Sequence, residues 1–229
     1  MNSNIEFEIK AKIGSLAQVS NLIDNARPMG RPIAQSDVYY DTTDRRLYRS
    51  AVFLRLRNDS LVEIKAAPPS AGTGHFWCNE IRVPLSGSSN EFEQIGDLLR
   101  SYVNPVESSC RNFAELTTAF ELEPLVEVSK ERTVYQLDGA ELAIDSVRKL
   151  GLFVELEVHD PAHRQQYLRL VEESRLVHIS VGYVELLLRM LEPRTYLQGR
   201  YLLPEDRLEN LPAGSGSLDP LGNTLLKQH

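Results

Sequence analysis

Residues 5–10 read Ile5-Glu6-Phe7-Glu8-Ile9-Lys10. Successive side chains of an extended chain point to opposite faces, so this stretch sets Ile5, Phe7 and Ile9 on one face of a strand and Glu6, Glu8 and Lys10 on the other. The same partition recurs along the chain. Val52-Phe53-Leu54-Arg55-Leu56-Arg57 opposes Arg55 and Arg57 to Val52, Leu54 and Leu56; Val62-Glu63-Ile64-Lys65 pairs Glu63 with Lys65, and Glu80-Ile81-Arg82-Val83 pairs Glu80 with Arg82. Lys130 and Arg132 share a face, as do Glu141 and Asp145, and then Glu155 and Glu157 within Leu152–Val158. A charged face is ordinarily the solvated side of an antiparallel sheet.

Helical spacing argues for a different arrangement. Apolar stripes run through Ser15–Asn25 (Leu16, Val19, Leu22, Ile23, with Ser15 as N-cap), Glu91–Val103, Pro161–Leu176 and the more apolar Val181–Leu191, which is expected to be the most buried. Such helices need an apolar partner, and the apolar strand faces supply it. If the sheet also curls to pair its edges, the charged face lines the interior. The expectation is an α+β barrel with a charged bore.

The chain has 229 residues, a net charge of −7 and 42% hydrophobic residues, enough for a sizeable core without disulfides or structural metal. The acidic balance argues against a nucleic-acid-coating protein or a polybasic membrane binder. No stretch approaches the length of a membrane helix and the opening residues carry no apolar leader, so the expected location is cytoplasmic, with no membrane or nucleic-acid partner. Cys78 and Cys110 have no CxxC spacing and are read as thiols. His159 and His163 flank Pro161, which spoils the helical face a metal pair would need. Pro68–Gly74 reads as a loop. The expected division is a tunnel domain over residues 1–192 and a partly flexible C-terminal extension over 193–229, whose Tyr196, Tyr201, Leu202 and Leu203 dock across a tunnel mouth, mediate a homodimer or belong to a frayed end.

Burying so many charges is costly unless they pair or bind something. Arg and Lys suit phosphate oxygens, and carboxylates without His or Cys companions suit a hard cation such as Mg2+ or Mn2+. Glu6-Phe7-Glu8-Ile9-Lys10 resembles the ExExK signature of the CYTH family, the triphosphate tunnel metalloenzymes. The similarity continues in order through Asp37-Val38-Tyr39-Tyr40-Asp41-Thr42, Leu54-Arg55-Leu56-Arg57, Glu63-Ile64-Lys65, Lys130-Glu131-Arg132, Asp145 to Glu157, and Ser180-Val181-Gly182-Tyr183-Val184-Glu185-Leu186-Leu187, like the family's closing SYxELL helix.

The resemblance implies an eight-stranded antiparallel β-barrel tunnel with helices packed outside. It implies a triphosphate gripped by Lys10, Arg55, Arg57, Lys65, Lys130 and Arg132, and divalent metal, Mg2+ or Mn2+, held by Glu6, Glu8, Glu80, Asp145, Glu155 and Glu157. It also implies a Lys10–Tyr39 pair as base; the alternative for Tyr39 is a core tyrosine. The Trp77-Cys78-Asn79-Glu80-Ile81-Arg82 block departs from the family pattern, placing Cys78 where a cation and Arg82 where a carboxylate is expected. Tripolyphosphate, thiamine triphosphate and ATP are the candidate substrates. Hydrolysis demands the fewest additional features; a class IV adenylate cyclase and a non-catalytic polyphosphate-binding module are the alternatives. Phe53 and Trp77 are the aromatic candidates for stacking on a thiamine ring, with a core role the alternative for each.

Overall fold

The protein's structure, a computed structural model, describes residues 7–24, 26–66, 79–107, 109–159 and 161–207. Glu6, the Pro68–Gly74 loop, His75, Trp77, Cys78 and the chain after Arg207 lie outside these residues. Ten strands form one sheet: β1 (Phe7–Ile13), β2 (Arg27–Pro28), β3 (Ile33–Thr42), β4 (Val52–Arg57), β5 (Leu61–Ala66), β6 (Asn79–Pro84), β7 (Leu122–Leu137), β8 (Ala140–Val147), β9 (Gly151–Val158) and β10 (Val177–His178). Their order is β10-β1-β9-β8-β7-β3-β4-β5-β6, antiparallel at every step, with β2 on β7. Without the two-residue β2 and β10, eight long strands remain, as the resemblance implies. Among the described residues no pairing joins β6 back to β1, so the sheet is barrel-like but unclosed.

The helices are α1 (Ser20–Asp24), α2 (Arg46–Arg49), α3 (Ser89–Leu99), α4 (Phe113–Ala119), α5 (Arg164–Glu173), α6 (Tyr183–Leu191) and α7 (Pro193–Tyr196). Two apolar clusters lie between strands and helices on the outer face. Leu54, Val62, Ile64 and Val83 pack against Phe92, Ile95 and Leu99 of α3 and Leu116 of α4. Ile9, Ala11, Leu142, Val154 and Leu156 pack against Leu22 of α1 and Tyr167 and Val171 of α5. In β4 burial alternates residue by residue, with Arg55 and Arg57 on the more open side. The period-2 pattern therefore sorts the chain as expected, apolar outward under helices and charged inward.

Local signals place the ends. Ser15 and Ser88 open their helices with capping boxes closed by Gln18 and Glu91. The β7–β8 turn needs Gly139, whose φ is +66° and whose absent Cβ would lie 2.5 Å from the His163 ring.

Among the described residues, α6 is the helix on the inner face. Tyr183, Val184, Leu187 and Leu188 of α6 pack with Val128, Val147 and Phe153, which alternation places beside Lys130, Asp145 and Glu155. Tyr39 and Phe53 join this cluster. Tyr196, Tyr201 and Leu203 are also buried against the body; Tyr196 Oη accepts from the Leu203 amide at 2.8 Å and donates to Asp206 Oδ2 at 2.8 Å. Phe53 stacks edge-on with Tyr48, as a core residue does. The inner face is thus apolar at one end and charged over the rest.

Candidate active site

The charged region has two walls. On β3–β6, register sets Asp37 opposite Arg57, Tyr39 opposite Arg55 and Arg55 opposite Glu63. Asp37, 1% exposed, accepts from Arg57 Nε at 2.7 Å, Arg57 Nη2 at 3.0 Å and Arg55 Nη1 at 3.2 Å. Glu63, also 1% exposed, accepts from Arg55 Nε at 2.8 Å and pairs with Arg57 Nη1 at 3.2 Å and Arg82 Nε at 3.0 Å. Burial works against the Arg55 charge, but Tyr39, Asp37 and Glu63 outweigh it and raise the guanidinium pKa. Two buried carboxylates thus aim two forked cations. Lys65 Nζ lies 3.4 Å from Glu80, and Arg82 Nη2 lies 2.8 Å from the same carboxylate. Glu80 therefore sits among cations.

The other wall is built on β1, β7, β8 and β9. Asp145 is fully buried and receives Lys130 Nζ at 2.7 Å, Arg132 Nε at 2.7 Å and Nη2 at 2.6 Å, and Tyr183 Oη at 2.9 Å. Glu155 accepts from Arg132 and pairs with Lys10 Nζ at 3.0 Å, while Glu8 lies 2.8 Å from the same ammonium. Burial would lower the Lys10 pKa; Glu155 and Glu8 reverse that and raise it. Burial would likewise raise Glu155, and Lys10, Arg132 and Lys130 bring it below the ordinary carboxylate range. At Lys130 burial prevails, assisted by Arg132, and the ammonium pKa is lowered.

Lys10 and Tyr39 take different partners. Arg55 Nη1 donates to Tyr39 Oη at 3.0 Å, whereas the tyrosine beneath Lys10 is Tyr183, with Nζ 4.7 Å from its ring centre. Sequence reasoning also left Asp37, Glu63 and Tyr183 out of the site set. Glu63 was legible as an inward anion, and Tyr183 stood in a noted motif.

Register also aligns Glu8 of β1, Glu157 of β9 and Glu141 of β8 in one row across three strands. Like charges directly opposite destabilise a sheet unless something neutralises them. Glu8 and Glu157 keep over a third of their side-chain surface open. Among the described residues no three His, Cys, Asp or Glu side chains converge on one point. The donor chemistry of the row is all oxygen, which fits a hard divalent cation. Among the described residues, Asp145 and Glu155 are each engaged by two cations, and Glu8 by Lys10 alone.

No curated protein gives a significant match to the chain. Among solved structures, the PH1819 protein of Pyrococcus horikoshii aligns with a TM-score of 0.55 at 19% identity, over 81% of this chain and 99% of its own. An adenylate cyclase candidate of Bacillus halodurans gives 0.54 at 17%, over 84% and 100%. HpAC1 of Hippeastrum, an adenylyl cyclase candidate reported with a dominant triphosphatase activity, gives 0.54 at 17%, over 87% and 97%. At these identities the likeness is one of fold. The CYTH domain profile matches residues 4–183, most of the chain, and with the antiparallel barrel-like sheet and its charged inner face the chain belongs to the CYTH family.

Proposed function

We propose that the protein is a divalent-metal-dependent triphosphatase that hydrolyses the terminal anhydride of inorganic triphosphate or thiamine triphosphate on the inner face of its sheet. The observation that carries this reading is the pair Arg55 and Arg57, held by the buried carboxylates of Asp37 and Glu63 on the same face as Lys10, Lys130 and Arg132. Pre-aimed guanidinium forks match phosphate oxygens in geometry and charge. Most of phosphoryl-transfer catalysis is positioning and charge neutralisation, which such a surface provides.

In this reading Arg55, Arg57 and Lys65 bind the non-bridging oxygens from one side, and Lys10, Lys130 and Arg132 from the other. A water oxygen bonds to the terminal phosphorus, the bridging P–O bond breaks with its electron pair on the leaving diphosphate, and the water proton passes to solvent. Lys10, held charged between Glu8 and Glu155, serves as a cation, and Tyr39 orients Arg55. Glu8 and Glu157, extended by Glu141, are the residues to hold a divalent cation, with Glu6 preceding them in the motif; bound there, the metal supplies Lewis-acid charge neutralisation and a water of lowered pKa. Asp145 and Glu155 fix the cationic side chains, and Glu80 does the same for Lys65 and Arg82.

The experiment is product analysis. Purified protein with Mg2+ or Mn2+ is incubated separately with tripolyphosphate, thiamine triphosphate and ATP, and products are resolved by chromatography. Orthophosphate from either of the first two, abolished by EDTA, is the expected result. Cyclic AMP with pyrophosphate from ATP makes the protein a cyclase, and no product from any of the three leaves a binding module.

A further inference from the structure

The closing helix contributes one side chain to the charged face. Tyr183, first residue of α6, is 8% exposed, and its ring packs edge-on against Phe153 with centroids 5.1 Å apart. Lys10 Nζ stands 4.7 Å and Lys130 Nζ 5.0 Å from the ring centre, and the phenol donates to Asp145 at 2.9 Å. One aromatic ring thus meets two ammonium groups on different strands and the carboxylate that anchors one of them. An aromatic face attracts cations most strongly where water is excluded.

We infer that Tyr183 is a positioning residue: its ring seats the Lys10 and Lys130 ammonium groups, and its hydroxyl fixes Asp145 against Lys130 and Arg132, so that α6 sets the cationic floor on which a triphosphate rests. This rests on the triphosphatase reading for the ligand, and on the ring and hydroxyl contacts of Tyr183 for the seat. Glu8, Glu155 and Asp145 balance the two ammonium charges held at the ring.

The test compares Tyr183→Phe, which keeps the ring, with Tyr183→Leu, which removes it. The first readout is the NMR shift of the lysine ε-methylene protons, because groups above an aromatic ring are displaced upfield. Lys10 and Lys130 are expected upfield in the wild-type protein and in Tyr183→Phe, and at ordinary lysine positions in Tyr183→Leu. The second is steady-state kinetics with tripolyphosphate and Mg2+: KM rises about tenfold in Tyr183→Leu and about threefold in Tyr183→Phe, with kcat changed less than KM. Unshifted lysines in the wild-type protein overturn the inference, and so does a folded Tyr183→Leu whose KM is that of the wild type. If Tyr183→Leu does not fold, the wild-type and Tyr183→Phe shifts still decide. If the wild-type protein turns over no triphosphate, the hydrolase reading falls while the lysine shifts still settle the seat.

Discussion

The two walls of the inner face solve one problem differently. On β3–β6 the anions are sunk and the cations reach outward: Asp37 and Glu63 are almost fully buried, while Arg82 keeps over half its side-chain surface open. On β1 and β7–β9 the lysines sink beside a buried anion: Asp145 is fully buried, Lys130 and Lys10 keep 6% and 11% side-chain exposure, and Glu8 and Glu157 reach outward. The first wall presents positive charge to whatever enters the bore and the second presents negative charge at its edge. A metal-bound polyanion needs both, one surface for its oxygens and one for its cation. The difference teaches that the side chains left open at the rim, and not the sunken pairs, set the sign that each wall displays.

Removing a buried anion should therefore hurt most, and unequally. Asp145→Ala strands Lys130, leaves Arg132 with Glu155 and deprives Tyr183 of its acceptor, which should cost about 3–5 kcal/mol of folding stability. Asp37→Ala should cost less, because Arg55 and Arg57 both retain Glu63. Urea unfolding of the two variants measures the comparison, and equal losses would erase the distinction between the walls.

The partition into two faces was legible because a strand's period of two needs no knowledge of its partner. Register was not legible, because the alignment of Glu8, Glu157 and Glu141 depends on offsets between strands that no single segment encodes. The β3–β7 pairing shifts register between Tyr39 and Tyr40, where β7 carries Leu125 as an extra residue, and no single segment announces that irregularity. The helix α4 carried a signal that was passed over, since Asn112 accepts from the Glu115 amide in an Asn-x-x-Glu start. The apolar character of α6 announced burial and nothing about which face it covers. Tyr183 was therefore readable as a motif residue but not as a neighbour of Lys10.

Displayed charges should matter for turnover rather than stability. Arg55→Ala should lower kcat/KM for tripolyphosphate by about 10- to 100-fold, the worth of a lost charge-assisted contact, with the loss mainly in KM. Glu155→Ala with Glu157→Ala removes one sunken and one displayed carboxylate and should abolish metal-dependent turnover in a chain that still folds, at a cost in stability because Lys10 and Arg132 lose Glu155. Retained activity in that double variant would remove the second wall from the chemistry. Arg82→Ala, at the open rim of the first wall, should change kcat/KM only a few-fold.

The smallest effect is the most discriminating, because it separates two lysines on one wall. Lys10 has a raised pKa: its stabilisation is complete below the unfolded lysine value of about 10.4 and is lost as pH rises through the folded value. Lys130 has a lowered pKa, so between that value and about 10.4 the unfolded chain binds more protons and stability rises with pH. In metal-free buffer, the stability difference between wild type and Lys130→Met should therefore grow as pH approaches about 10.4, at no more than the one-proton slope of about 1.36 kcal/mol per pH unit. The difference for Lys10→Met should stay flat to the same pH and shrink beyond it. Urea midpoints across the alkaline range give both curves, and slopes of the same sign would mean that Glu8 and Glu155 do not favour Lys10 over its neighbour.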